Sequence, residues 1–213
     1  MPNISGNAYA LTTLCPIKNG HTDNESNACL LRRVLQELDE NHSPFAKVPN
    51  TYLARLFILD DTIFESHPYK LDRLQSKYLV FTANIHGDLD TYLDGMWANM
   101  QEEIKEIGKY FVGFGNVNSA TSFKEYLKKC QVKTTFFFNG STDDSLQEQL
   151  KSLYLKQEFS KFVYEHQGVS TKQLLHDFRE FVKVSEPKNL AFPTWKAGAR
   201  SLTDVVVTKN NRP

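Results

Sequence analysis

The chain has 213 residues, and its 25 basic and 25 acidic side chains cancel. A neutral chain with no cluster of Lys and Arg argues against nucleic acid as a partner. With 40% hydrophobic and 23% charged residues, a normal buried core is expected and global disorder is not.

The stretch from Met1 to Asn7 is polar and lacks both the basic segment and the apolar run of a leader. No apolar stretch approaches the roughly 20 residues that a bilayer span requires. Cys15, Cys29 and Cys130 have no paired spacing and suit a reducing compartment. A cytoplasmic protein with no membrane partner is the expectation.

Ala8 to Ile17 is rich in Tyr, Leu and Thr and reads as a strand. Asn19-Gly20 opens a turn. Glu25 to Asn41 places Ala28, Leu31, Val34, Leu35 and Leu38 at helical spacing, and Ser43-Pro44 stops that helix. Thr51 to Asp60 is a second strand, apolar on both faces. Asp61 to Gln75, with His67-Pro68, is a polar loop, and Lys77 to Asn84 is a third strand. A long helix begins after Asp88, a good N-cap, and buries Leu89, Tyr92, Leu93, Met96, Trp97, Met100, Ile104 and Ile107. A short helix follows over Ser122 to Lys129, then a fourth strand over Val132 to Asn139. Asp143 to His166 and Ser170 to Val184 are helical, with Gly168 between them. The tail from Pro187 onward ends in a short Val205 to Val207 run.

The order β-α-β-β-α-β is the split pattern of a ferredoxin-like fold. The expected class is therefore α+β: a ferredoxin-like core over residues 1–142 with an antiparallel sheet of strand order 4-1-3-2. Helices over 143–184 pack on that core, and 185–213 form an irregular tail. The first and third strands are expected in the centre, parallel to each other. Both helices then cover one face. The apolar residues on both sides of the sheet predict that the other face is covered by a second subunit, the C-terminal helices or a ligand.

In that topology one sheet edge collects Cys15, Lys18, His21, Tyr52, Asn84, His86 and Cys130 with the start of the helix at Asp88. Free N–H groups of that helix would suit an anion, and Cys15 and Cys130 would be neighbours. Arg55, mid-strand between Leu53 and Phe57, needs either an acidic partner or an anionic ligand. Tyr52, Arg55, Asn84, His86 and His21 are thus the candidate ligand-binding residues. No metal motif, P-loop, G-x-G-x-x-G or G-x-S-x-G occurs, and no metal site is expected.

Two stretches carry a resemblance. Ser43-Pro44-Phe45-Ala46-Lys47-Val48-Pro49-Asn50-Thr51-Tyr52-Leu53-Ala54-Arg55 is the first, and Tyr78-Leu79-Val80-Phe81-Thr82-Ala83-Asn84-Ile85-His86-Gly87-Asp88-Leu89-Asp90 is the second. Together they resemble a group of uncharacterised bacterial proteins with ferredoxin-like cores. More broadly the span from Ala8 to Asn139 is similar to the dimeric α+β barrel superfamily, which includes dye-decolourising haem peroxidases, chlorite dismutases and small monooxygenases. The resemblance implies a homodimer and a pocket against the sheet. It carries over no catalytic residue: where the uncharacterised group is expected to have His, this chain has Tyr52.

Two functions follow as expectations. One is a small-molecule-binding protein, possibly an oxidoreductase of unassigned cofactor, with its pocket on the open face or edge of the sheet. The other is a non-catalytic interaction or assembly protein whose sheet face is a dimer interface. Arg55 discriminates them: a cavity beside Tyr52 or His86 favours the first, and an acidic partner for Arg55 favours the second.

Overall fold

The computed structural model describes residues 3–22, 24–39, 42–60, 74–141 and 143–199. The chain divides into two compact units, one ending at Asp143 and one beginning at Asp144. The expected loop around His67 and the Val205 to Val207 run lie outside the described residues.

The first unit is α+β, built on a four-stranded antiparallel sheet. Its strands are β1 (Ile4–Ser5), β2 (Ala8–Pro16), β5 (Thr51–Leu59) and β6 (Tyr78–His86), in the order β1-β2-β6-β5. A separate two-stranded ribbon pairs β3 (His21–Thr22) with β4 (Glu25–Ser26). The helices are α1 (Asn27–Gln36), α2 (Leu89–Gly108) and α3 (Ala120–Cys130).

Two expectations are corrected. The central strands β2 and β6 are antiparallel, with Ala8 opposite His86 and Pro16 opposite Tyr78. The order is not 4-1-3-2, because residues 132–139 form no strand and the place beside β2 belongs to β1. The segment does begin to pair there, through a bridge from Gln131 to Thr13 and a bond from Val132 N to Thr12 O (2.8 Å). The edge beyond is already taken, since Ile4 and Ser5 pair with Tyr9 and Ala8. Asn3 then holds the segment with side-chain bonds: its Oδ1 accepts from Thr134 N (3.3 Å) and its Nδ2 donates to Thr134 Oγ1 (3.1 Å). Residues of high β-propensity, Phe136 and Phe138, are left 80% and 73% exposed.

One face of the sheet is fully packed. Leu11, Cys15 and Ile17 from β2 meet Leu79, Phe81, Ala83 and Ile85 from β6. Leu31 of α1, Leu93, Met96 and Ile104 of α2 and Phe123 and Leu127 of α3 close over them. Helix α2 starts where the sequence places it: Asp88 is its N-cap and accepts from Thr91 N at 2.9 Å. At its other end, a side chain on Gly108 would overlap the Phe114 ring, so only glycine fits there. Helix α1 is shorter than expected, because Ser26 caps it and the chain leaves the helix at Glu37.

The second unit contains α4 (Leu146–Glu165) and α5 (Thr171–Ser185). Ser145 and Glu148 form a capping box that starts α4, and Ser170 caps α5. Gly168, at φ +79°, makes the turn between them. Across the hairpin Phe159 packs at a tilt on Phe181, and Phe162 meets Phe178 edge to face and Phe181 at a tilt.

Candidate functional site

The register of β2 and β6 separates the expected cluster into two ends. Tyr52, Asn84, His86 and Asp88 lie at the Ala8 end; Cys15, Lys18, His21 and Cys130 lie toward the Pro16 end. Cys15 pairs with Leu79, seven residues along β6 from His86, or about 23 Å at ~3.3 Å per residue. His21 sits exposed in the β3–β4 ribbon, away from the other candidates.

At the first end, a bulge in β5 between Thr51 and Leu53 brings Tyr52 over β6. The Tyr52 hydroxyl meets His86 Nδ1 at 2.7 Å, with the rings edge to face. Asn84 is exposed, opposite Ala10 and Leu53. The N-terminus of α2 does not offer an open anion seat, since the Asp88 carboxylate fills it. Hydrogen bonds from the Thr91 backbone hold that carboxyl below its ordinary range. Nearby, burial pushes the Tyr92 hydroxyl up to about 12.

Arg55 meets neither condition set for it. It is exposed, lies 5.5 Å from the centroid of the Phe57 ring, and no acid pairs with it among the described residues. Leu53 and Phe57 flank it on the same face, 62% and 41% exposed. Across the sheet the same face is partly covered: Ala10 and Val80 are buried, Thr12, Leu14 and Thr82 half-buried, and Asn84 exposed. Exposure therefore concentrates toward β5, whose outer edge pairs with no strand among the described residues.

Beside that edge runs a groove of about 780 Å³ between α1 and β5. Phe45, Leu56 and Ile58 line its apolar floor, and Arg32, Gln36, Asp39 and Ser43 its polar rim. Arg32 and Lys77 both reach Asp60 at the end of the strand. A second cleft, about 460 Å³, opens in the α4–α5 hairpin between Phe159, Val163, Leu174, Leu175 and Phe178. Neither space is lined by Tyr52, Arg55, Asn84, His86 or His21.

At the other end Cys15 and Cys130 are neighbours, as the sequence predicts, because Gln131 bridges Thr13 and Val132 N bonds Thr12 O. Cys15 is 1% exposed and its thiol is pushed far up, first by its bond to Cys130 and then by burial. The same bond pulls Cys130 down to about 7.

Lys151 was invisible in the sequence, where it reads as one more helix-surface lysine. It is 2% exposed and donates from Nζ to Ser185 O and Pro193 O, both at 2.7 Å. Its ammonium also lies 5.2 Å from the centroid of the Tyr154 ring. Among the described residues no group of His, Cys, Asp and Glu could hold a metal ion, and no helix is long and apolar enough to cross a membrane. No family model, curated protein or solved structure matches the chain.

Proposed function

We propose that this protein is a binding module that takes an extended segment of a partner protein along the edge of β5. The observation that carries this reading is the exposed row Leu53, Arg55 and Phe57 on an edge unpaired among the described residues, beside the 780 Å³ groove. An added strand bonds backbone to backbone, and its alternate side chains face opposite ways. One set meets the groove floor at Leu56 and Ile58. The other meets Leu53, Arg55 and Phe57, where an acidic residue opposite Arg55 would supply the missing partner. A second copy of the chain suits this edge poorly: a twofold pairing centred on mid-strand would set two arginines side by side.

The test is a charge swap, read by fluorescence anisotropy. The probe is a labelled nine-residue peptide of alternating Val and Thr with a central Glu. It should bind the protein, lose at least tenfold affinity with Arg55→Glu, and recover when its central Glu is replaced by Lys. Equal binding by both protein forms would overturn the reading.

A small amphipathic molecule is a second reading, favoured by the size of the groove and its polar rim. An absorbance spectrum of the purified protein with a Soret or flavin band would select it.

A further inference from the structure

We propose that Cys15 and Cys130 form a redox site: a dithiol that a hydroperoxide converts to a disulfide joining β2 to the end of α3. Four observations carry this. The fold makes the two residues neighbours, although 115 positions separate them in the chain. The backbones are held in place around them, since Thr13 bridges Gln131 and Val132 N bonds Thr12 O. The pair is asymmetric, with Cys15 buried and Cys130 partly exposed, so that only one sulfur meets solvent. Finally, Cys15 stands in the wall of an apolar void of about 50 Å³, shared with Phe81, Met100 and Phe111. Bringing two neighbouring sulfurs to a bond of about 2.05 Å requires side-chain movement. A close-packed interior would resist it, and the void gives the room.

The chemistry divides between the two residues. Cys130 is the last residue of α3, where the helix dipole disfavours a thiolate. The neighbouring Cys15 opposes that and holds the Cys130 thiol below its ordinary value. Tyr126 also reaches the Cys130 sulfur, but it has one proton, which it donates to Val112 O at 2.9 Å. The Cys130 thiolate attacks the outer oxygen of the hydroperoxide; an S–O bond forms, the O–O bond breaks, and the leaving alkoxide takes a proton from water to become an alcohol. Cys130 is now a sulfenic acid. The Cys15 sulfur displaces its oxygen, which leaves with the Cys15 proton as water, and the S–S bond forms. Two electrons pass from the sulfur pair to the peroxide oxygen, and the sum is two thiols plus one hydroperoxide giving a disulfide, an alcohol and water.

The experiment uses full-length protein carrying Cys29→Ser, which removes the exposed third thiol. Hydrogen peroxide is added in slight excess under non-denaturing conditions, and peptides are mapped without reduction. The expected product is a linked Cys15–Cys130 peptide, formed faster as pH rises through about 7. In a Cys15→Ser variant, dimedone should trap the Cys130 sulfenic acid and no internal link should form. If Cys15→Ser does not fold, the Cys29→Ser protein decides alone. A dimedone adduct or sulfinic acid on Cys130 with the Cys15 thiol intact overturns the proposal, as does protein with both thiols unreacted and an unchanged circular dichroism spectrum.

Discussion

The two units contain similar side chains and use them differently. In the first, Leu31, Leu93 and Ile85 are wholly buried, and the core cluster contains no charged residue. In the second, Leu153, Val163, Leu175 and Val184 are 42–65% exposed, while the largest fully buried side chain is the lysine Lys151. The difference is geometric. A sheet face covered by helices encloses an interior layer, whereas two helices side by side bury one stripe each and leave their other apolar positions in water. The hairpin compensates at one point, where Lys151 ties the last turn of α5 and the chain at Pro193 to α4. Carbonyls at a helix end need donors, and a lysine supplies them where no backbone N–H does.

Substitutions ranked by size test this contrast. Leu93→Ala removes a side chain with no exposed surface and should cost about 2–5 kcal/mol, read as a lower urea midpoint. A cost under ~1 kcal/mol would mean that the first unit is packed as loosely as the second. Lys151→Ala leaves the acceptors Ser185 O and Pro193 O without their donor and should cost roughly 1–3 kcal/mol.

Lys151 also has a pH signature. Desolvation holds its pKa below the ordinary lysine value, with Glu186 acting the other way. Between that lowered value and about 10.4 the unfolded chain binds more protons than the folded one, so the Lys151 contribution to stability rises with pH across the window. Lys151→Met keeps the apolar stem and should abolish that part of the slope in thermal melts taken from pH 8 to 10.5. An identical slope in the variant would show the ammonium to be solvated.

Asp88→Ala should cost about 1 kcal/mol through loss of the α2 cap. Because its carboxyl is held below the ordinary value, its contribution is present above about pH 3.9 and is lost as pH falls through the folded-state pKa. The smallest effect is expected at Leu175, which is 51% exposed: Leu175→Ser should change stability by no more than ~0.5 kcal/mol. A larger loss would reveal that the hairpin surface is covered.

Much of this organisation was legible in the sequence, for local reasons. Strand-type composition located the three long strands, the sequence pattern located α1 to α5, and Asp88 and Ser170 stood at the predicted starts. What failed was long-range competition. Residues 132–139 have strand composition, but Ile4 and Ser5 reach the edge of β2, and a two-residue strand gives no periodic signal. The direction of β6 against β2 then moved His86 away from Cys15 and His21. The Tyr52–His86 contact survived the correction because both residues lie at the start of β5 and the end of β6, which pair antiparallel whatever the rest of the sheet does. Lys151 was unreadable because its burial depends on Pro193, 42 positions further on.

The N-terminal edge has a consequence for the order of events during synthesis. Asn3 bonds Thr134, Ser5 Oγ accepts from Asn139 N, and Asn7 N donates to both oxygens of the Asp143 carboxylate (2.7 and 2.9 Å). The residues at one end of the first unit are thus fastened by some of the last residues of that unit, in matching order along the two segments. Gly6 is the pivot, at φ +63° with no room for a side chain beside Asp143. A nascent chain that has not yet released Asp143 from the exit tunnel can form β2 with β6, but the segment from Asn3 to Asn7 stays unfastened. Contacts this distant in sequence form late. The clasp therefore closes only when the first unit is complete, and it closes at the boundary where the second begins.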